Sequence, residues 1–314
     1  MMKDMPTREA FGIALLEMAE EKDDLIVLDA DISKSTNSCY FHQKYPERAY
    51  NVGIAEQNMI GVAAGIASTG MQVFATTYAV FATMRALEQV RTFICYPKLN
   101  VKVIASHGGL QVSSDGVSHQ GTEDLAFMRA IPNMTVLHPA DPVSTKKLIH
   151  LAGEFEGPMY IRLMRNAVPV IYDKDINFEI GKGIINRDAD DAVCTIMATG
   201  LMVYKSLEAA RNLAESGIET RVIDLHTIKP LDKKLIIESA QKTGAVVTAE
   251  DHNICGGLGG AIAEVLGKNY PVPMEMIGVK DVFGESGDPE ELFTEYDMNT
   301  KDIVGAVQKV LNKK

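Results

Sequence analysis

An α/β fold with mostly parallel strands is the class this sequence predicts, and three observations predict it. Short apolar runs rich in β-branched residues alternate with longer stretches of helical periodicity. The unusual polar and glycine residues of the first half gather directly after those runs, where open α/β sheets bind their ligands. A stretch rich in Asp, Asn and Gly, residues 168–191, interrupts the rhythm, and a second alternation follows it.

In the first half the expected strands are residues 25–28, 73–76, 101–105, 134–137 and 159–163. The expected helices lie between them at 11–20, 56–68, 83–94 and 142–153. The run Val101-Lys102-Val103-Ile104-Ala105 is short and largely β-branched, as strands buried on both faces tend to be. In the second half, strands are expected at 193–197, 220–223, 245–248 and 274–277, with an amphipathic helix over 301–311. The chain therefore divides into a first domain at 1–170, a linker at 171–191 and a smaller α/β domain at 192–314. The strand-end rule directs attention to four loops, 29–35, 51–56, 106–120 and 162–165.

Bulk properties narrow the function. The 314 residues carry a formal charge of -11, against the basic stripe that nucleic acid or an anionic membrane surface requires. Local clusters of arginine can still hold an anionic substrate. The four cysteines are Cys39, Cys95, Cys194 and Cys255; they form neither a Cys-x-x-Cys pair nor a secreted framework, and a reducing cytoplasm is the expected setting. The N-terminus has no signal-peptide core, and no run approaches the roughly 20 apolar residues of a membrane span.

The motif Asn51-Val52-Gly53-Ile54-Ala55-Glu56-Gln57-Asn58 runs into the small-residue helix Gly61-Val62-Ala63-Ala64-Gly65. An isolated glutamate there reads as a charge favouring the positive end of a helix. The surrounding residues, however, closely resemble the glycine-x-alanine-glutamate-glutamine signature of transketolases and 1-deoxyxylulose-5-phosphate synthases. The resemblance implies that Glu56 shares a proton with the pyrimidine of thiamine diphosphate and promotes the imino tautomer from which the cofactor's ylid forms. The implied reaction is transfer of a two-carbon ketol unit from a ketose phosphate to an aldose phosphate.

The same resemblance assigns further residues. In Tyr78-Ala79-Val80-Phe81-Ala82-Thr83-Met84, aromatics three apart would share a helix face and read by default as core. Transketolases place three aromatics here around the pyrimidine, which implies that Tyr78 and Phe81 bind it, with Met84 in the third position as a thioether. A loop with His107, Asp115-Gly116 and His119-Gln120 follows a strand and matches the transketolase pattern. A lone histidine in such a loop is more often structural. By resemblance His107 and His119 hold the substrate's oxygens and relay protons, and Asp115 recognises the hydroxyl beside the acceptor aldehyde. Arg8, Ser35 and Arg165 stand at transketolase-like positions for a substrate phosphate, a task suited to the arginine fork. Asp31 matches a position near the cofactor. Taken alone, each arginine would read as a solvated surface charge.

Two stretches imitate other sites. The glycines at 256–260 follow a strand, but their spacing is wrong for a dinucleotide loop and no acidic ribose anchor stands at the right distance, so packing is the expected role. Asp115-Gly116 with Asn133 departs from the magnesium motif of thiamine enzymes, since Ser114 replaces its first glycine and the spacing is short. The resemblance thus covers the pyrimidine-binding and C-terminal domains but not the diphosphate-binding domain. It implies an N-terminal partner subunit that holds magnesium and the cofactor's diphosphate, and a heterotetramer with two sites. His119-Gln120-Gly121 would also fit the synthase, but His107 favours transketolase. A 2-oxoacid dehydrogenase beta subunit fits the Ala55-Glu56-Gln57 context poorly, and retention of Glu56, His107, Asp115 and His119 argues against a non-catalytic regulatory subunit.

Overall fold

The computed structural model describes residues 3–314. Fourteen strands are assigned among them: β1 Met5–Pro6, β2 Leu25–Asp29, β3 Ala49–Asn51, β4 Gln72–Tyr78, β5 Val101–Ser106, β6 Thr135–Leu137, β7 Met159–Arg162, β8 Ala167–Val168, β9 Ile184–Arg187, β10 Cys194–Ala198, β11 Thr220–Asp224, β12 Thr227–Lys229, β13 Val246–Asn253 and β14 Met274–Val279. The first sheet has seven strands in the order β12-β6-β7-β5-β4-β2-β3, and all its pairings are parallel except that of β12 with β6. The second has the order β14-β13-β10-β11-β9, parallel apart from β9. The fold is thus the expected α/β class, with a mostly parallel first sheet and a second sheet in the C-terminal part.

Burial explains why these runs are strands. Every residue of β2, β5 and β10 is buried, so their unbroken apolar character reflects coverage on both faces. Asp29, at the end of β2, and Lys102, within β5, are the charged exceptions that need partners; Asp29 meets His42 Nε2 at 3.1 Å. For Lys102 the partners include backbone carbonyls. Its Nζ donates to the Phe155 and Gly157 carbonyls at 2.6 and 2.7 Å, and burial lowers its pKa to about 7. The helix Thr7–Ala19 turns Phe11, Leu15 and Met18 into the core. Each such side chain contributes about 1.5–3 kcal/mol of apolar burial. The helix Pro142–Glu154 opens on a capping box, in which Asp141 Oδ1 accepts the Ser144 N–H at 2.7 Å.

The stretch read as a linker carries regular structure of its own. Within it Ile184–Arg187 forms β9, pairing with β11 at the edge of the second sheet. Its start is tied to the first domain by Asp141, whose Oδ2 accepts the Ile171 and Tyr172 N–H groups at 2.9 and 3.1 Å. The two halves are further locked together by β12, which leaves the C-terminal half to become an edge strand of the first sheet. One apolar cluster runs through both, from Phe11 and Ile161 to Ile196, Val222 and Val310.

Between the halves, Tyr172 donates its hydroxyl to Asp224 Oδ2 at 2.7 Å. Asp224 is fully buried, and burial, reinforced by the charge of Asp141, pushes its carboxyl up to about 8 against the Tyr172 hydrogen bond. Between its ordinary value near 4 and pH 8 the folded chain holds a proton that the unfolded chain releases. The stability this group contributes therefore falls progressively as pH rises from about 4 and is fully lost by about pH 8. Asp224→Asn is expected to raise the melting temperature by a few °C at pH 9, with the gain shrinking towards pH 5; calorimetry at pH 5, 7 and 9 checks it.

Candidate active site

The four loops singled out above all leave the carboxyl ends of strands in the first sheet: β2, β3, β5 and β7. After β3, Asn51 Oδ1 accepts the Gly53 N–H at 2.9 Å, while its Nδ2 donates to Asp31 Oδ1 at 2.8 Å, so the loops after β2 and β3 are joined. The turn delivers Glu56 to the first position of the helix Glu56–Ala67, where the helix dipole favours a carboxylate. Glu56 is 2% exposed. Its Oε2 accepts from Arg85 Nη1 at 2.9 Å, and the Arg85 guanidinium lies 4.3 Å from the centroid of the Phe81 ring.

Arg85 is the residue the sequence did not disclose. Phe81–Arg85 winds as a π-helix, with the Ala86 N–H reaching back to the Phe81 carbonyl at 3.2 Å. This wider turn carries Met84 away from the Phe81 face and brings Arg85 onto it. Met84 is accordingly 46% exposed. Tyr78 is the last residue of β4 rather than part of that helix, yet it still stacks on Phe81, with centroids 5.8 Å apart.

The aromatic group continues into the loop after β5. The His107 ring lies 4.1 Å from Tyr78, and His119 meets the edges of Tyr78 and Phe81 at 5.9 and 5.4 Å. His107 is buried and sits at φ +61°, a costly conformation for a residue with a side chain. Its Nδ1 meets Ser106 Oγ at 2.8 Å, and His119 Nδ1 meets Ser118 Oγ at 2.9 Å, which leaves Nε2 of each ring for other partners. Burial first, then the charges of Arg8, Arg165 and His119, push His107 down to about 3. It is a neutral imidazole at physiological pH.

The remaining candidates form one cationic corner. Arg8 donates from Nε to the Arg165 carbonyl at 3.0 Å and from Nη1 to the Ser35 carbonyl at 2.6 Å. Arg165 donates to the Val112 carbonyl and, at 3.1 Å, to Asp115 Oδ2. Burial and the neighbouring Arg165 both lower the pKa of Arg8. Ser35 enters through its carbonyl. The candidates thus fall into two linked groups: Glu56 with the aromatics and histidines, and the two arginines with Ser35 and Asp115. Asp31 is reached through Asn51, and Met84 lies outside both.

The glycines at 256–260 are occupied from within the chain. Glu250 accepts the N–H groups of Leu258 and Gly259 at 2.7 and 2.8 Å, filling the start of the helix Leu258–Asn269 where a phosphate would sit. A Cβ on Gly257 would collide with that carboxylate. Among the described residues no group of three or more His, Cys, Asp or Glu could hold a metal ion, and no helix is long and apolar enough to cross a membrane.

Comparison with known proteins gives this arrangement a family. Residues 3–170 match the transketolase pyrimidine binding domain, and residues 181–303 match the transketolase C-terminal domain. A protein of Methanocaldococcus jannaschii, provisionally named a transketolase C-terminal section, is 45% identical over 98% of this chain and 96% of its own length. A 6-deoxy-6-sulfo-D-fructose transketolase subunit from a Clostridium species is 41% identical over 98% of this chain and 95% of its own. A solved structure described as a split-gene transketolase, inactive β4 tetramer, superposes with a TM-score of 0.90 at 49% identity, covering 98% of this chain and 99% of that one. The chain therefore belongs to the transketolase family, of which it comprises the pyrimidine-binding and C-terminal domains.

Proposed function

We propose that this chain is the C-terminal subunit of a two-chain transketolase, a transferase that moves a two-carbon ketol unit from a ketose to an aldose. The observation that carries the reading is the Glu56–Arg85–Phe81 contact. There a planar N–H-bearing group lies over an aromatic ring and donates to a buried carboxylate. An aminopyrimidine asks for the same two contacts, so the residues present fit the pyrimidine side of thiamine diphosphate. Glu56 would be its proton partner and Tyr78 and Phe81 its apolar walls, with Asp31 linked to the site through Asn51; Met84, turned out to the surface, would reach the ring only with the partner chain in place. When bound, the cofactor supplies the nucleophilic carbon and the electron sink.

The chain's own residues hold and orient. Glu56 takes and returns a proton at the pyrimidine nitrogen. Neutral His107, and His119, offer Nε2 to the sugar's oxygens, and either can move a proton between them. Asp115 accepts from the hydroxyl beside the acceptor aldehyde. Arg8 and Arg165, with Ser35 beside them, hold the anionic end of the sugar, which fixes the reacting carbons relative to the cofactor. One relative is named for a sulfonated sugar, so a terminal anion, phosphate or sulfonate, is the feature these arginines recognise.

Magnesium and the diphosphate fall to an N-terminal partner subunit, and the working assembly is a cytoplasmic heterotetramer. Two observations support a covering chain: relatives matched over nearly their whole length are named as a transketolase C-terminal section and a transketolase subunit, and the apolar residues Tyr50, Ile54 and Met84 are exposed, the first two just before Glu56 in the chain. The test is to co-express the chain with its N-terminal partner and assay transfer from xylulose 5-phosphate to ribose 5-phosphate with thiamine diphosphate and magnesium. Transfer that needs both chains is expected. Turnover by this chain alone refutes the division of labour, and cofactor binding without turnover moves the reaction to other sugars.

A further inference from the structure

The loop from His107 to Gly121 carries three of the proposed substrate contacts. Its neck is closed by the Gly109 N–H donating to the Gly121 carbonyl at 2.9 Å. Beyond the neck it is held from both halves: Arg165 and Asn166 brace Val112, Asp115 and Gln111 from the first domain, and the remaining anchors come from the C-terminal half. Asp251, on β13, accepts the backbone N–H of Leu110 at 2.8 Å and, more weakly, that of Gln111 at 3.4 Å. Ser113 Oγ donates to the Gly287 carbonyl at 2.9 Å, and Gln120 Nε2 donates to the Glu285 carbonyl at 3.0 Å. The Asn253 N–H closes the series on the Thr122 carbonyl at 2.7 Å. Gly109 adopts φ +74° so close to Asp251 that a Cβ would collide with its carboxylate.

We propose that Asp251 is a positioning residue for ketol transfer, through which the C-terminal half sets the register of His107, Asp115 and His119. The proposal rests on the reading of the site given above. Asp251 is 4% exposed, and a carboxylate removed from water is costly unless hydrogen bonds replace its hydration. Here both oxygens are given to the backbone of one loop. Asp251 stands two residues past Ala249, the last residue of β13 that pairs with both β10 and β14, and two before Asn253, which pairs with Val279 of β14; β12 joins the second half to the first sheet. Arg162, paired with Asp124 at 3.2 Å beneath the loop, donates to the Gly121 carbonyl at 3.1 Å and holds its other end.

Asp251→Asn keeps the size but turns one acceptor into a donor facing an N–H group. In the isolated chain, hydrogen exchange over residues 107–121 is expected to accelerate at least about tenfold, while exchange in β2 and β10 stays unchanged. Unchanged exchange at 107–121, or the same acceleration throughout the chain, overturns the proposal. Gly109→Ala strikes the same contact from the loop side; it is expected to give the same local signature and decides the matter if Asp251→Asn does not fold. In the reconstituted enzyme, KM for the sugars should rise about tenfold with thiamine diphosphate affinity held within about twofold, whereas equal loss of both overturns positioning. The exchange readout needs no turnover, so an inactive wild-type complex counts against the ketol-transfer reading alone.

Discussion

Glu56→Gln in the reconstituted two-chain enzyme is expected to lower ketol transfer by roughly 10²–10⁴-fold, the range that positioned proton transfer supplies. Glutamine keeps the volume and can still hydrogen-bond, but it cannot take a proton from a ring nitrogen. The loss would not come from unfolding. The side chain is buried, but its partner Arg85 is 47% exposed and turns to water when the charge is removed. An ion pair open to solvent on one side contributes only about 1 kcal/mol or less. The melting temperature and the association with the N-terminal subunit are therefore expected to stay close to wild type, measured by calorimetry and sedimentation. Retention of more than about a tenth of the wild-type rate would remove Glu56 from proton handling.

What was legible in the sequence follows from which forces act locally. The core strands β2, β4, β5 and β7 stand where the apolar runs placed them, because residues buried on both faces have to be apolar whatever surrounds them. The short edge strands β3, β9 and β12, of three or four residues, have no period to read; pairing partners elsewhere in the chain create them. For β9 the Asp- and Gly-rich flanks hid two isoleucines that sit on a sheet edge. Strand β13 runs on through Glu250, Asp251 and His252 beyond the expected 245–248, since a buried network satisfies those polar residues.

The site divides in the same way. The family resemblance singled out Glu56, His107, Asp115 and His119, and the fold sets them beyond the carboxyl ends of β3 and β5, Glu56 on the first turn of a helix. Arg85 was invisible because its place depends on a π-turn, and a change of helical pitch leaves no mark in residue types. Asp251 was invisible because an acidic residue after an apolar run reads as solvated until burial shows both oxygens committed to another domain's backbone.

Arg165→Ala is expected to raise KM for phosphorylated sugars by about 10–100-fold, with kcat changed far less and with little effect on unphosphorylated acceptors. The guanidinium has two possible tasks. It braces the loop after β5 through Asp115 and the Val112 carbonyl, and it presents a cation beside Arg8. Bracing alone would predict a loss shared by all substrates, because a displaced Asp115 serves every acceptor alike. Anion binding predicts a loss that follows the substrate's charge. Arg165→Lys separates the two further, since it keeps the charge but loses the planar fork and should fall between wild type and alanine for phosphorylated sugars only. Arg8 supplies the reason to expect a large effect. Its own donors are committed to the Ser35 and Arg165 carbonyls, so its charge remains but its hydrogen-bonding capacity is partly spent. Steady-state kinetics with matched phosphorylated and unphosphorylated aldoses reads the difference, and an equal rise in KM for both would assign Arg165 to the loop rather than to the substrate.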